Sequence, residues 1–274
     1  MVAWSAEEAE DSRRDFFIVF RLTVKKTSVM KAGQERFRHT ERPWETAKES
    51  KERVDSFPFF STGSQSIDRL LGGGFRAGTL TEVFGRSNSG KSQLAMQAAL
   101  FSARMGKRSL YVDTEGSFRP ERVEGIARAR GWEDRGLLEM IVYVRTDSLS
   151  EQMEMVRRMS ERAATSTCTL VIIDTLTRNF SVELPGKSNL SSRQGALNVY
   201  LSEMARDAYL GGRAYLLTNR VTFGAQHDVG IGGRTVEQLV RASVRLDRIG
   251  ASLRATLVPE GGSATARVGP QGVD

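Results

Sequence analysis

The chain has 274 residues, of which 39% are hydrophobic, enough for a sizeable core in one large domain or in one domain with a small appendage. The single cysteine, Cys168, excludes an internal disulfide framework and fits a reducing compartment. The formal net charge of +7 favours a polyanionic partner, nucleic acid first, although a basic surface that serves only solubility would give the same composition.

Residues 1–56 differ in character from the rest of the chain, because they are rich in charge and contain no glycine apart from Gly33. Their start does not resemble a signal peptide, and the apolar run at 16–20 is shorter than the ~20 residues that a bilayer-spanning helix needs. A strand is predicted over 16–24 and a helix over 45–55. We therefore expect a charged, partly disordered N-terminal extension, no membrane partner and a cytoplasmic location.

From residue 61 onward, apolar strand patterns alternate with helical patterns. The strands are predicted over 79–84, 109–113, 140–145, 169–174 and 214–221. Methionines and leucines at helical spacing over 152–159 and 197–204 are interpreted as core-facing sides of helices rather than as a cofactor site. This alternation predicts an α/β core over 57–274, with a mostly parallel central sheet and helices on both faces. Strands over 244–249, 253–258 and 264–268 predict a C-terminal antiparallel extension.

A glycine-rich segment follows the first of these core strands and fits the pattern G-x-x-x-x-G-K-[ST]. Its residues are Gly85, Arg86, Ser87, Asn88, Ser89, Gly90, Lys91 and Ser92. The glycines let backbone N–H groups converge on phosphate oxygens, and the helix that follows adds its positive end. Lys91 supplies a mobile charge for the β- and γ-phosphates, and the Ser92 hydroxyl is a ligand for Mg²⁺. The strand–loop–helix context therefore predicts a site for ATP and Mg²⁺.

Two other core strands lead into carboxylates. The aliphatic run at 170–174 ends in Asp174, at the end of the strand where open α/β sheets place ligands. We expect Asp174 to reach the magnesium shell through water, and the alternative is that it caps the following turn. Glu115 follows the strand at 109–113 and is the candidate that orients and deprotonates a water for ATP hydrolysis. From spacing alone, an exposed glutamate without a catalytic role remains the alternative.

Several segments closely resemble the RecA-type recombinases of archaea and eukaryotes. They are 61–75 (STGSQSIDRLLGGGF), 110–122 (LYVDTEGSFRPER), 218–221 (TNRV), Gly232-Gly233, Arg245-Leu246 and 266–269 (ARVG). The resemblance covers about residues 61–274 and is to the archaeal RadA/RadB group, with RadB the more similar. It implies a RecA-like P-loop ATPase core that acts in homologous recombination and DNA repair, and it identifies Glu115 as the water-activating glutamate.

The resemblance also implies two DNA-binding loops, over 178–190 and 222–235. Basic residues fall where the family places cations near a DNA strand, and cations on glycine-containing loops can reach phosphates. They are Arg178, Lys187, Arg193 and Arg234. The alternative for these residues is a solvated surface charge without a DNA contact.

The chain departs from the family pattern in three places. Arg220 stands where the family has a glutamine that couples the γ-phosphate to the second DNA loop. A guanidinium at this position could contact phosphate directly as part of the ATP site, but it cannot accept a hydrogen bond. The second loop is also several residues shorter, and residues 1–56 lack the glycines of a helix-hairpin-helix domain. These departures count against full strand exchange and against stimulation of ATP hydrolysis by DNA.

Trp44 and Ala47 resemble the F-x-x-A polymerisation motif, with tryptophan in the phenylalanine position. An aromatic anchor and a small residue could dock into a neighbouring core and support a homo-oligomer. A plain amphipathic helix start is the alternative, because a pattern of four residues is short.

These observations favour a RadB-like mediator that binds ATP, Mg²⁺ and single-stranded DNA and assists a recombinase or another repair protein in the cytoplasm, close to the nucleoid. Its ATPase activity is expected to be slow and DNA-dependent or weakly DNA-sensitive. One alternative is a full RadA-like recombinase that forms filaments and exchanges strands. Trp44 favours this alternative, whereas Arg220 and the short second loop count against it. The second alternative is an ATP-gated binding module with negligible turnover.

Overall fold

The computed structural model describes residues 45–132, 136–159, 167–223, 228–259 and 261–274. The chain divides into two units, Met1–Glu52 and Arg53–Asp274. The strand predicted over 16–24 lies outside the described residues, and the domain boundary proposed after residue 56 stays a prediction. Within the described ranges, no helix combines the length and the apolarity that crossing a bilayer requires.

Helix α1 (Ala47–Asp55) begins two residues later than predicted. Thr46 and Glu49 form a capping box at its start: the Thr46 hydroxyl accepts the N–H of Glu49 at 3.2 Å, and the Glu49 carboxylate accepts the N–H of Thr46 at 2.7 Å. This reciprocal pair satisfies N–H groups that have no partner within the helix. The T-x-x-E pattern of Thr46 and Glu49 is a sequence signal for this start.

Most of the strands join one large sheet. They are β3 (Leu80–Gly85), β4 (Ser109–Asp113), β5 (Ile141–Arg145), β6 (Leu170–Asp174), β7 (Ala214–Phe223), β8 (Asp228–Gly230), β9 (Ala242–Ile249), β10 (Ser252–Val258), β11 (Ser263–Gly269) and β12 (Gly272–Val273). The order across the sheet is β12-β11-β10-β9-β3-β7-β6-β4-β5, and β8 pairs with β7. The strands from β9 to β5 in this order are parallel, and β9, β10, β11 and β12 form an antiparallel meander. β1 (Phe59–Phe60) and β2 (Phe75–Arg76) pair with each other in a separate antiparallel sheet of two strands.

Helices cover both faces of the parallel strands. They are α2 (Gln65–Leu70), α3 (Lys91–Arg104), α4 (Pro120–Ala129), α5 (Leu149–Arg157), α6 (Arg178–Glu183), α7 (Leu190–Gly211) and α8 (Arg234–Glu237). Apolar residues of α3 and α4 belong to one core cluster, and those of α5 and α7 belong to another. Successive side chains of β4 point to opposite faces of the sheet. Tyr111 therefore lies in the first cluster, and Leu110 and Val112 lie in the second. The predicted α/β sheet with its antiparallel C-terminal extension is confirmed.

The pairing register aligns the carboxyl ends of the parallel strands at one edge of the sheet. Gly85 of β3 is opposite Arg220 of β7, and Asp113 of β4 is opposite Asp174 of β6. The residues that follow these strands therefore surround one crevice, which is the place where open α/β sheets bind ligands. β7 extends two residues beyond its predicted end and continues into a hairpin with β8.

Candidate nucleotide-binding site

The loop between β3 and α3 is a tight turn that depends on residues with little or no side-chain hindrance. Asn88 and Gly90 have positive φ angles of 62° and 98°, a conformation that asparagine and glycine adopt most readily. A Cβ at Gly85 would lie 2.4 Å from the Leu246 carbonyl oxygen. The first N–H groups of α3 have no partner within the helix, and the helix dipole favours an anion there. This cradle fits the phosphates of a nucleotide.

Lys91 is the first residue of α3 and is 9% exposed. Its Nζ donates to the carbonyl oxygens of Gly85 at 3.0 Å and Arg86 at 2.8 Å, so the ammonium lies over the loop. Burial lowers the pKa of Lys91, and the Arg220 guanidinium acts in the same direction, whereas the carboxylates of Asp174 and Glu115 raise it. The lysine charge is therefore coupled electrostatically to both predicted acidic site residues.

Asp174 ends β6 and is 1% exposed, with hydroxyl groups around its carboxylate. Its Oδ2 accepts hydrogen bonds from Tyr111 at 2.7 Å and Ser117 at 3.0 Å, and its Oδ1 accepts one from Thr218. Burial first, and then the Asp174 charge, raise the pKa of Tyr111 well above its ordinary value, so this hydroxyl stays a neutral donor. A carboxylate has about four acceptor positions, which leaves room for a water beside these three donors.

Asp113 organises the turn that carries Glu115. Its Oδ1 accepts the N–H groups of Glu115, Gly116 and Ser117 at 3.0, 2.8 and 3.1 Å, and its Oδ2 accepts the N–H of Phe118 at 3.0 Å. This buried carboxylate therefore holds the backbone of the predicted catalytic residue. Our sequence analysis missed it, although an aspartate directly before a Thr-Glu-Gly-Ser segment is a recognisable turn signal.

The Glu115 side chain has two partners. Its Oε1 accepts a hydrogen bond from the Thr175 hydroxyl at 3.1 Å and forms an ion pair with the Arg220 Nη2 at 2.7 Å. The Arg220 side chain is 52% exposed and that of Glu115 is 23% exposed, so the pair lies at the rim of the crevice. The structure thus brings Arg220 to the predicted site, where its partner is the predicted base, while a contact with phosphate stays a prediction.

The residues at this edge also suit magnesium. Among the described residues, no group of three or more His, Cys, Asp or Glu side chains could hold a metal ion. The predicted donors are instead the Ser92 hydroxyl, in the first turn of α3, and the Asp174 carboxylate. Hydroxyl, carboxylate, phosphate and water oxygens are the ligands that Mg²⁺ prefers, and it keeps several waters when it binds beside phosphates. The donor chemistry therefore fits Mg²⁺ that arrives with a nucleotide.

Residues 178–190 were predicted as the first DNA loop. For the first half of this segment, the prediction of a loop is wrong. Residues 178–183 form helix α6, because Phe180 is fully buried in the core and anchors the segment. Arg178 is therefore a helical residue, and its guanidinium donates to Asn179 at 3.1 Å. Arg193 lies in helix α7 and donates to the Leu184 carbonyl oxygen just after α6, at 2.9 Å.

The segment predicted as the second DNA loop, residues 222–235, is also partly regular. It begins in the β7–β8 hairpin and ends in α8, of which Arg234 is the first residue. Arg193 and Arg234 line one cavity of about 520 Å³ between α6, α7 and the start of α8. Lys187 is exposed in the segment between α6 and α7. The structure thus brings two of the four predicted DNA residues to one cavity.

Of the two predicted oligomerisation residues, the structure describes one. Ala47 is exposed at the start of α1, and Trp44 lies outside the described residues. Their part in an oligomer stays a prediction.

Comparison with known proteins relates the chain to one family. Residues 55–237 match the Rad51 family. A DNA repair and recombination protein RadA from Metallosphaera sedula is 32% identical over 236 residues, which cover 80% of this chain and 73% of that protein. The protein of the same name from Ignicoccus hospitalis is 35% identical over 201 residues, which cover 69% of this chain and 61% of that protein. The region matched to the family contains both the residues of the phosphate loop and the strands that carry Asp113 and Asp174.

Proposed function

Because the chain belongs to the Rad51 family of RecA-type recombinases, we propose that it acts in homologous recombination and DNA repair as a RadB-like mediator. It binds ATP with Mg²⁺, hydrolyses ATP slowly, binds single-stranded DNA and assists a recombinase or another repair protein. The observation that carries this proposal is the convergence of Lys91, Asp174 and Glu115 around one crevice at the carboxyl edge of the sheet.

Phosphate binding is assigned to residues 85–92. The tight loop and the start of α3 present backbone N–H groups to an anion, and Lys91 adds a buried positive charge. The Lys91 contacts with the carbonyl oxygens of Gly85 and Arg86 are contacts that phosphate oxygens would replace. Arg220 is assigned to the γ-phosphate end, because it is opposite Gly85 across the β3–β7 pair.

Water activation is assigned to Glu115, whose backbone is held by Asp113. Mg²⁺ bound with ATP would neutralise charge on the β- and γ-phosphates, with Ser92 as a direct ligand and Asp174 holding it through water. Glu115 orients the attacking water and takes its proton. The ion pair with Arg220 engages one oxygen of this carboxylate, so that oxygen is free to meet a water only when the pair opens.

Binding of single-stranded DNA is assigned to Arg178, Lys187, Arg193 and Arg234. The shared cavity of Arg193 and Arg234, together with the net charge of +7, supports an electrostatic interaction with the phosphate backbone. The mediator role is favoured over strand exchange because Arg220 replaces the family glutamine and the second segment is short.

Turnover by the wild type and by Glu115→Gln tests this proposal, together with electron microscopy in the presence of ATP and single-stranded DNA. We expect a slow ATPase rate that the substitution lowers strongly, and no long regular filaments. An unchanged rate in Glu115→Gln would favour the ATP-gated binding module, because Glu115 would then not act on the water. Long regular filaments would favour the recombinase and rule out the mediator role.

A further inference from the structure

We propose that Arg220 is a positioning residue that restrains Glu115 until a γ-phosphate takes its guanidinium. The Arg220–Glu115 ion pair engages the Oε1 oxygen of the predicted base. A nucleoside triphosphate competes for the same guanidinium and releases Glu115, whereas a diphosphate does not. This inference rests on the proposed ATP site and adds to it the way in which that site distinguishes ATP from ADP.

The ion pair spans the crevice between two strands that are not neighbours. Arg220 lies on β7 and Glu115 follows β4, and β6 lies between them in the sheet. The pair therefore crosses the end of β6, where Thr175 donates to the same Glu115 oxygen at 3.1 Å. Arg220 is at the same time opposite Gly85, the first residue of the phosphate loop. One guanidinium thus stands between the predicted base and the predicted phosphate cradle.

The backbones on both sides of the pair are fixed, so the exchange requires movement of side chains alone. The N–H of Arg220 donates to the Asn219 side chain at 2.9 Å, and its carbonyl oxygen accepts from the N–H of Ile231 at 2.9 Å. Asp113 fixes the backbone at Glu115. The Arg220 side chain beyond this anchored backbone is half-exposed, which leaves room for another rotamer.

The chemistry of the guanidinium makes phosphate the natural competitor. Arginine stays charged at every pH that a protein tolerates, so its positive charge is always available to a competing anion. Its planar fork matches phosphate oxygens in a two-point contact, and the contact with Glu115 runs through one nitrogen and one oxygen at 2.7 Å. An ion pair at this exposure is weak, so the exchange needs no large input of free energy.

The step that the exchange controls is the attack of water on the γ-phosphorus. A bond forms between the water oxygen and phosphorus, the bond from phosphorus to the β-phosphate oxygen breaks, and Glu115 takes the water proton. ADP and inorganic phosphate leave. A base restrained in this way cannot act before a γ-phosphate is present.

Nucleotide affinities measured without turnover test the proposal. The probes are ADP and a non-hydrolysable ATP analogue, and the variants are Arg220→Ala, Arg220→Lys, Glu115→Gln and the double variant Arg220→Ala/Glu115→Gln. Arg254→Ala is the matched control, since Arg254 is exposed on β10. Arg220→Ala should weaken analogue binding about fivefold or more and leave ADP binding within about twofold. Arg220→Lys, which keeps the charge but lacks the fork, should bind the analogue with intermediate affinity.

The double variant separates competition from simple charge repulsion. Glu115→Gln should strengthen analogue binding more in the presence of Arg220 than in the Arg220→Ala background, because only in the first case does it remove a competitor for the guanidinium. Equal effects in the two backgrounds would overturn the exchange, and so would equal losses of ADP and analogue binding in Arg220→Ala. Failure of the wild type to bind either nucleotide would instead contradict the proposed function itself. Thermal melts of every variant verify that the fold is kept.

Discussion

The carboxyl edge of the sheet and the cation-bearing segments beside it (residues 178–193 and Arg234) are built in opposite ways. At the edge, Asp174 accepts hydrogen bonds from three hydroxyl groups and Asp113 accepts them from four backbone N–H groups. In the cation-bearing segments, the guanidinium groups make single contacts nearby in the chain: Arg178 donates to the adjacent Asn179, and Arg193 donates to the Leu184 carbonyl oxygen.

This difference matches the chemistry proposed for each region. Catalysis needs groups that are held in place before the substrate arrives, and buried, fully bonded carboxylates provide this. Binding of a flexible polyanion needs charges that can adapt to the phosphates they meet, and half-exposed arginines and lysines provide that. Substitutions at the edge should therefore change the chemistry strongly, and substitutions in the segments should change affinity in small increments.

The largest effect is expected from Lys91→Ala. The substitution removes the buried positive charge over the phosphate loop, so hydrolysis of ATP should fall at least about a hundredfold. Steady-state ATPase assays measure the loss, and Lys107→Ala, at an exposed residue after α3, is the control. Retained activity in Lys91→Ala would mean that the nucleotide lies elsewhere.

A smaller but distinct effect is expected from Asp113→Asn. An amide nitrogen in place of one carboxylate oxygen would face N–H groups, which costs ~1–3 kcal/mol of unfolding free energy and shifts the backbone of Glu115. Turnover should fall by about one order of magnitude or more, because the base loses its position. Denaturant melts and ATPase assays on the same samples measure both. Reduced stability with unchanged turnover would show that Asp113 serves the fold alone.

Substitutions in the cation-bearing segments should act by salt-dependent increments. Arg234→Ala and Lys187→Ala should each weaken binding of single-stranded DNA and reduce the slope of log K against log salt by about 0.7. Fluorescence anisotropy at several salt concentrations gives the slopes. Arg254→Ala is the control, because it removes a positive charge from β10, outside these segments. A wild-type affinity for single-stranded DNA that does not change with salt concentration would contradict binding through phosphates.

The smallest effect is expected at Glu82, a buried residue of β3. Its buried carboxylate accepts from Asn219 at 2.7 Å and from Ser243 at 2.9 Å, and Asn219 also donates to the Ile231 carbonyl oxygen at 2.7 Å. Burial raises the pKa of Glu82 above its ordinary value of 4.5, although the bonds from Asn219 and Ser243 oppose the shift. The folded state therefore holds the proton more tightly than the unfolded state does.

It follows that the Glu82 contribution to stability is present at low pH and is lost as pH rises from about 4.5 through the raised value. Glu82→Gln keeps the shape without the charge, so the wild type should lose stability relative to this variant as pH increases. Unfolding free energies at several pH values measure the difference. A difference that is constant with pH would show that the carboxyl group titrates alike in both states.

Much of the edge could be predicted from the sequence, because its signals are local. The glycine and lysine spacing of residues 85–92 and the aliphatic run before Asp174 both follow from residues close together in the chain. The eight strands predicted over 79–268 agree with the structure to within two residues for the same reason, since an apolar run bounded by turns is a local pattern, whereas the short strands β1, β2, β8 and β12 were not predicted.

What the sequence did not reveal depends on contacts between distant elements. The Arg220–Glu115 pair joins residues from strands separated by β6, and only the strand order brings them together. Likewise, α6 was predicted as a loop, because nothing in the six residues from Arg178 to Glu183 indicates that Phe180 will be buried.

The most direct test of the proposed mediator role is the ATPase rate of the wild type with and without single-stranded DNA, at saturating ATP and Mg²⁺. We expect a slow rate that changes little when DNA is added, because Arg220 replaces the glutamine through which the family couples the two sites. Strong stimulation by DNA would contradict this account, since the coupling would then operate through Arg220 and the chain would act as a recombinase.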